Sequence, residues 1–310
     1  MGSNYLKRTL LNGSNEISGV IALDKLTYAG SLDNIHNLQG DSRFEFIQGD
    51  ICDRELVSQL FTKVDAVVHF AAESHVDRSI NSSSEFIKTN VMGTANLLDA
   101  LRNNPRIRFL HVSTDEVYGS ISSGSWNECA PLMPNSPYSA SKASSDLMAI
   151  SYFKTYGLDI MISRCCNNYG PNQYPEKIIP LFITNLLSER KIPLYGSGVN
   201  IREWIHVNDH CDAINLILTT GKSGEVYNIG SGYELSNLEL TQKILERFGK
   251  STESIVYVED RLGHDIRYSL DCSKLNNELS FTCKTSFEVG LMDTIDWYRE
   301  NSHWWKARTI

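Results

Sequence analysis

The sequence predicts an α/β fold: a doubly wound parallel sheet with a smaller, mixed α/β second domain. Three observations carry that expectation. Short β-branched and apolar runs recur through the first half, helical patterns long enough to cross a sheet separate them, and 41% of the 310 residues are hydrophobic. Strand and helix alternation of this kind builds layered α/β domains, and that much apolar surface offsets the conformational entropy lost on folding.

The expected strands are residues 20–23 (VIAL), 44–47 (FEFI), 66–70 (AVVHF), 109–112 (FLHV) and 160–163 (IMIS). Apolar runs of this length, bounded by polar residues, read as strands buried on both faces. Between them, residues 56–61, 86–101 and 140–156 carry helical periodicity and suit crossover helices. After residue 170 the pattern changes to Pro-punctuated segments and short strands, with one clear helix over 238–248. The chain therefore divides into 1–170 and 171–310, with segments of about 203–230 returning to the first sheet.

Charge narrows the function. With 29 Lys+Arg against 37 Asp+Glu the net charge is -8, which disfavours a nucleic-acid binder, since releasing counterions from phosphates needs a basic face. A basic pocket for a small anion is compatible with that balance. No apolar run approaches the roughly 20 residues of a membrane span, and the first residues show no signal-peptide pattern, so a soluble cytoplasmic protein is expected. The 7 cysteines are odd in number and none are spaced C-x-x-C; reduced thiols are expected, and no metal site.

Two clusters carry chemistry. Pro137 precedes Tyr138-Ser-Ala-Ser-Lys142, and Pro favours the first turn of a helix. Residues four apart share a helix face, so Lys142 reaches toward the group Tyr138 contacts. An ammonium there favours the phenolate and is expected to bring Tyr138 down toward a useful general base. Taken alone, Tyr and Lys at this spacing is a common surface pair, but strand 109–112 runs into Ser113-Thr114-Asp115-Glu116-Val117-Tyr118-Gly119. Hydroxyl and carboxyl groups thus follow the C-terminal end of a parallel strand, where α/β sheets bind ligands. Of two adjacent acids, one raised by burial can donate a proton while the other accepts one.

These two clusters do not stand alone. Residues 71–79 (AAESHVDRS), Asn167-Asn168-Tyr169-Gly170-Pro171, Pro175-Glu176-Lys177, Tyr195-Gly196, Arg202-Glu203-Trp204, Tyr227-Asn228-Ile229-Gly230 and Asp260-Arg261-Leu262-Gly263-His264-Asp265 follow in order along nearly the whole chain. Together they resemble the extended short-chain dehydrogenase/reductases, the NAD-dependent epimerase/dehydratase family. Within it the series is similar to the 4,6-dehydratases of dTDP-glucose. Leu262 departs from the Pro usual there.

The resemblance implies a Rossmann-like NAD-binding domain, a sugar-nucleotide-binding domain and a homodimer. It implies oxidation at C4 of the glucosyl ring, loss of water across C5 and C6, and return of hydride to C6, with NAD regenerated. Catalytic roles fall on Thr114, Asp115, Glu116, Tyr138 and Lys142, Asp115 as acid and Glu116 as base of the elimination. Cofactor contacts fall on Gly2, Asp24, Lys25, Thr27, Asp50, Ile51, Ala71, Ala72, Ser74, Thr89, Tyr138, Lys142 and Asn168. Substrate contacts fall on Ser74, Thr114, Asn167, Lys177, Tyr195, Arg202, Asn228, Arg261 and His264, with Arg202 and Lys177 supplying charge for a diphosphate. His75, His206, His210 and the Trp304-Trp305 pair are assigned to packing or surface.

A nucleotide-sugar 4-epimerase shares Tyr138, Lys142 and the fold, but needs no acid/base pair to expel water, so Asp115-Glu116 favours dehydration. Dehydratases of UDP-glucose can share Thr-Asp-Glu, which leaves the base open. The family begins with a central strand and a glycine-rich turn, G-x-x-G-x-x-G, that meets the pyrophosphate. Met1-Gly2-Ser3 matches only the last glycine, so the first strand is missing from the match and unpaired strand edges are expected. Two readings compete: a start about ten residues upstream, or a non-catalytic sugar-nucleotide-binding relative.

Overall fold

In a computed structural model of the chain, which describes residues 1–11 and 17–309, the alternating pattern resolves into a parallel sheet. Its elements are α1 (Gly2–Leu11), β1 (Val20–Asp24), β2 (Phe44–Gln48), α2 (Arg54–Phe61), β3 (Ala66–His69), α3 (Val76–Asn81), α4 (Ser84–Phe86), α5 (Thr94–Asn103), β4 (Arg108–Thr114), α6 (Pro137–Tyr156) and β5 (Ile160–Cys165). The chain continues through β6 (Asn167–Tyr169), α7 (Ile178–Leu187), β7 (Ile192–Tyr195), β8 (Ile201–His206), α8 (Val207–Thr220), β9 (Val226–Ile229), β10 (Glu234–Ser236), α9 (Asn237–Arg247), β11 (Ile255–Val258), α10 (Ser273–Leu279), α11 (Phe287–Glu300) and α12 (Ser302–Lys306).

β3, β4, β5 and β9 form one sheet in that order, every pairing parallel. One face packs a core of Val57, Leu98, Leu101 and Ala149 from α2, α5 and α6. The other packs Ala213, Ile214 and Ile217 of α8 against Leu110, Met161 and Tyr227. Covered on both faces, β5 is buried at every residue, which is why its sequence reads as a continuous apolar run. β1 pairs with β2 alone. Among the described residues β1 has no ladder on its other side and β3 none on the side away from β4, the unpaired edges expected from the sequence. β1 accordingly has no fully buried residue.

The second half gathers β6, β8 and β10 into a small mixed sheet, and β7 with β11 into a parallel pair. A separate core of Ile179, Phe182, Ile183, Leu240, Ile244, Leu291 and Ile295 holds α7, α9 and α11 together.

Local chemistry sets the boundaries nearest the site. α6 starts on a capping box between Ser136 and Ser139 with Pro137 in its first turn, and stops at Gly157, whose φ is 66°. The helix expected over 86–101 is not regular: a π-helical turn, Ile87–Gly93, joins α4 to α5. Gly93 faces Ile51 so closely that an added Cβ would collide with its side chain, a tertiary constraint that periodicity cannot register. The strand expected to reach Phe70 ends at His69.

After β4 a 3-10 turn, Asp115–Tyr118, ends at Gly119 with φ 77°. A Cβ there would be driven into the Met133 carbonyl oxygen, while Met133 N donates to Val117 O at 3.0 Å. Gly119→Ala combines a left-handed backbone with a clash against main chain. It is expected to lower stability by about 2–4 kcal/mol, read from the urea midpoint at unchanged m-value.

Candidate active site

Parallel strands deliver their C-terminal ends to one rim. Here Asp24 closes β1, Ala71 and Ala72 follow β3, Thr114 closes β4, and Asn167 and Asn168 follow β5. The N-terminus of α6 meets this rim. Tyr138 N donates to Ser79 Oγ at 3.1 Å, and the Tyr138 ring stands edge-on to Phe86. One turn later Lys142 Nζ donates to the Val112 carbonyl of β4 at 2.8 Å, which locks the helix to the strand carrying Thr114.

Thr114 Oγ1 donates to Asp115 Oδ1 at 3.0 Å and accepts from Glu116 N at 3.4 Å. Asp115 is buried, with Oδ2 unpartnered. Burial first, then the neighbouring Glu116 charge, push its carboxyl well above the ordinary range, which favours its protonated form. Burial also raises Glu116, but Arg261, Arg202 and Lys177 face it and pull the other way, and its side chain keeps some exposure. Burial thus raises both carboxyls, and the three cations oppose it chiefly at Glu116.

The expectation for Tyr138 is corrected. Burial, and next the Glu116 charge, push its phenol well above its ordinary value, with a Thr114 hydrogen bond opposing. Lys142 does not offset this: its ammonium is turned to a main-chain carbonyl, and burial lowers its own pKa to about 8. In the protein alone Tyr138 keeps its proton.

On the sugar-nucleotide side, Lys177 Nζ donates to Ser74 O at 2.8 Å. Arg202 is buried, donates to the Ile201 and Asp265 carbonyls, and lies 4.4 Å over the Tyr268 ring. Arg261 Nε is buried without a partner. His264 Nδ1 lies 2.6 Å from Asp260, with Tyr195 edge-on to it. Asn167 sits partly exposed on β6. Asn228 is buried: its Oδ1 accepts from Tyr118, and its Nδ2 donates to the Trp126 and Asp271 carbonyls.

On the opposite side Asp24 Oδ1 accepts from Leu26 N at 2.7 Å in an exposed position. Lys25 Nζ is paired to Asp50 at 2.9 Å. Ile51 packs under Gly93, Thr27 is exposed, and Gly2 and Thr89 are partly exposed. Asn168 Nδ2 donates to Cys166 O at 3.1 Å while its buried Oδ1 has no partner.

Asn90 was not read from the sequence. From the π turn its amide accepts from Glu73 N and donates to Glu73 O and Ser141 Oγ, tying the loop after β3 to α6. Among the described residues no three His, Cys, Asp or Glu side chains converge to hold a metal.

A carboxyl whose pKa rises on folding costs stability increasingly as pH climbs from its unfolded value toward its folded one. Asp115→Asn is therefore expected to melt higher than the parent at pH 7–8, the advantage vanishing toward about pH 4; equal melting points at both pH values would contradict the upward shift at Asp115.

Known proteins share this chain's sequence and architecture. The family model described as GDP-mannose 4,6 dehydratase matches residues 1–294. A dTDP-glucose 4,6-dehydratase of Streptomyces antibioticus is 53% identical over 309 residues, 99% of this chain and 91% of that protein. The crystal structure of DesIV, a dTDP-glucose 4,6-dehydratase from Streptomyces venezuelae with NAD and TYD bound, superimposes with a TM-score of 0.97 at 53% identity, covering 99% of this chain and 96% of that one. A UDP-glucuronic acid 4-epimerase from Bacillus cereus has the same fold at TM-score 0.90 but 28% identity, covering 96% and 95%. Matched over residues 1–294 and half-identical to such relatives along nearly its whole length, this chain belongs to the GDP-mannose 4,6 dehydratase family, within the extended short-chain dehydrogenase/reductases.

Proposed function

We propose that this chain is an NAD-dependent hydro-lyase that converts dTDP-glucose to dTDP-4-keto-6-deoxyglucose and water. The observation that carries the reading is the Asp115-Glu116 pair at the end of β4: burial raises both carboxyls, Asp115 the further, while Arg261, Arg202 and Lys177 oppose the rise at Glu116. A 4-epimerase has no water to expel and no use for that pair. The likeness to dTDP-glucose 4,6-dehydratases at about half identity over nearly the full chain supports the same substrate.

The residues fit an NAD molecule. Asp24 offers an exposed carboxylate for ribose hydroxyls at the end of β1, Asp50 and Ile51 flank the adenine side, and the small Ala71 and Ala72 admit a pyrophosphate. Asn168 keeps a buried, unpartnered oxygen that would serve the nicotinamide side. Lys25 is already paired with Asp50 and leaves no free cation for a 2′-phosphate. When bound, NAD+ supplies a hydride acceptor for C4 and, as a cation, favours the Tyr138 phenolate that burial otherwise suppresses.

Tyr138 takes the C4 hydroxyl proton while Thr114 holds the same oxygen. The 4-keto group acidifies the C5 proton, which Glu116 removes, and Asp115 gives its proton to the departing C6 hydroxyl. Lys177, Arg202 and Arg261 hold the diphosphate near Glu116 and keep that base from being overly raised.

The assembly we infer is a homodimer. Ile87 and Met92 of the π turn and Leu147 of α6 are exposed, Met92 at 62% and Leu147 at 56%, on helices packed side by side. A second copy covering this face fits their chemistry. The cysteines are free thiols, which supports a cytoplasmic setting.

With dTDP-glucose and NAD, mass spectrometry should show product lacking one water. Glu116→Gln should form it about 10²–10⁴-fold more slowly while reduced nicotinamide accumulates; undiminished dehydration would remove Glu116 from its role. Sedimentation should give a dimer that Met92→Glu with Leu147→Glu converts to monomer.

A further inference from the structure

The stripe on α6 that begins with Tyr138 and Lys142 continues to Asp146, and every member is buried: Tyr138 is 8% exposed, Lys142 4% and Asp146 0%. We propose that Asp146 is a positioning residue whose buried carboxylate keeps Lys142 cationic beside Tyr138. Asp146 Oδ2 accepts from Arg164 Nε of β5 at 2.8 Å, and Oδ1 stands 3.3 Å from His111 Nε2 of β4. Arg164 is in turn fixed by Tyr118, which donates to Asn228. The carboxylate is therefore held by Arg164 of β5, while His111 Nε2 lies close but bonds Ser145 Oγ at 3.1 Å; it sits one helical turn from Lys142.

An inventory of facing groups leaves no other anion for Lys142. On α6 itself Tyr138 is a neutral phenol. On β3, His69 is kept neutral by burial. On β4, His111 is lowered to about 4 by burial and Asp115 is pushed toward its protonated form. On β5, burial pushes the Cys165 thiol up to about 12, and Arg164 is a cation. Glu116, beyond Asp115, is under the opposing charges of Arg261, Arg202 and Lys177. Burial drives Lys142 toward the neutral amine, and Asp146 is the first group opposing it. His111 and Arg164 hold Asp146 ionised in turn, with its carboxyl lowered to about 2. Two buried cations thus share one buried anion, and the guanidinium cannot release its proton. Any loss of negative charge falls on Lys142.

The inference rests on reading Tyr138 and Lys142 as the oxidoreductive pair, but the titration of Lys142 needs no substrate, so either can fail without the other. The whole chain is labelled with 13C at lysine Cε, and Lys142 is assigned by its loss in Lys142→Arg. Its alkaline titration midpoint should fall by about one pH unit in Asp146→Asn, a roughly tenfold loss of ammonium at a given pH. In Arg164→Met, which leaves the anion to Lys142 alone, the midpoint should rise. The alkaline limb of dehydratase activity should move with each midpoint, whereas a merely structural role would lower activity at every pH and leave the limb in place. Should one variant not fold, the other decides. A midpoint that stays put in either folded variant, or moves the same way in both, overturns the proposal.

Discussion

The bond from Lys142 Nζ to the Val112 carbonyl, 2.8 Å long and sealed from water, joins the two elements on which the site depends. It fixes the start of α6 against the end of β4, so Tyr138 and the Thr114-Asp115-Glu116 turn occupy one volume. The join is possible because α6 presents small hydroxylated residues to the sheet. Ser141 and Ser145 return their protons to carbonyls of their own helix, so polar residues pack closely without unmet hydrogen bonds. A larger side chain at either position would lift the helix off the strand.

Desolvation, the constraint that holds this join, also sets the chemistry. The same dry environment pushes Asp115 and Tyr138 toward their neutral forms and Lys142 toward the amine. Glu116 alone meets three cations and some solvent. Such a site is held against its own preferences by the surrounding fold, with Asp146 and Arg164 on one side and Lys177, Arg202 and Arg261 on the other. Stability given up at buried carboxyls is the ordinary accompaniment of a tuned acid and base.

Much of this was legible in the chain. Strands expected over 109–112 and 160–163 form β4 and β5, each longer by a few residues because pairing continues past the apolar run. The helix expected over 140–156 begins earlier, at Pro137, where the Ser136 capping box closes it. Motifs matched in order brought Thr114, Asp115, Glu116, Tyr138 and Lys142 to one rim, since parallel strands share the direction of their ends. Less legible were features made by partners distant in sequence. The π turn at Ile87–Gly93 answers to Ile51, and Asn90 answers to Glu73 and Ser141. Asn228 lies inside a matched motif, yet Tyr118, Trp126 and Asp271 consume its amide.

By itself the sequence determined the doubly wound parallel architecture, the residue types at the reaction centre and their order along the chain. These follow from periodicity, capping and short-range spacing, which act between neighbours in the chain. Only the tertiary structure decided the electrostatics: that burial raises Asp115 and Tyr138, and that Asp146 lies buried against Arg164 on the same helix as Lys142. A charge state depends on the water excluded and the charges gathered within a few ångströms, and those come from β3, β4, β5 and α6 together, elements that only folding brings into contact.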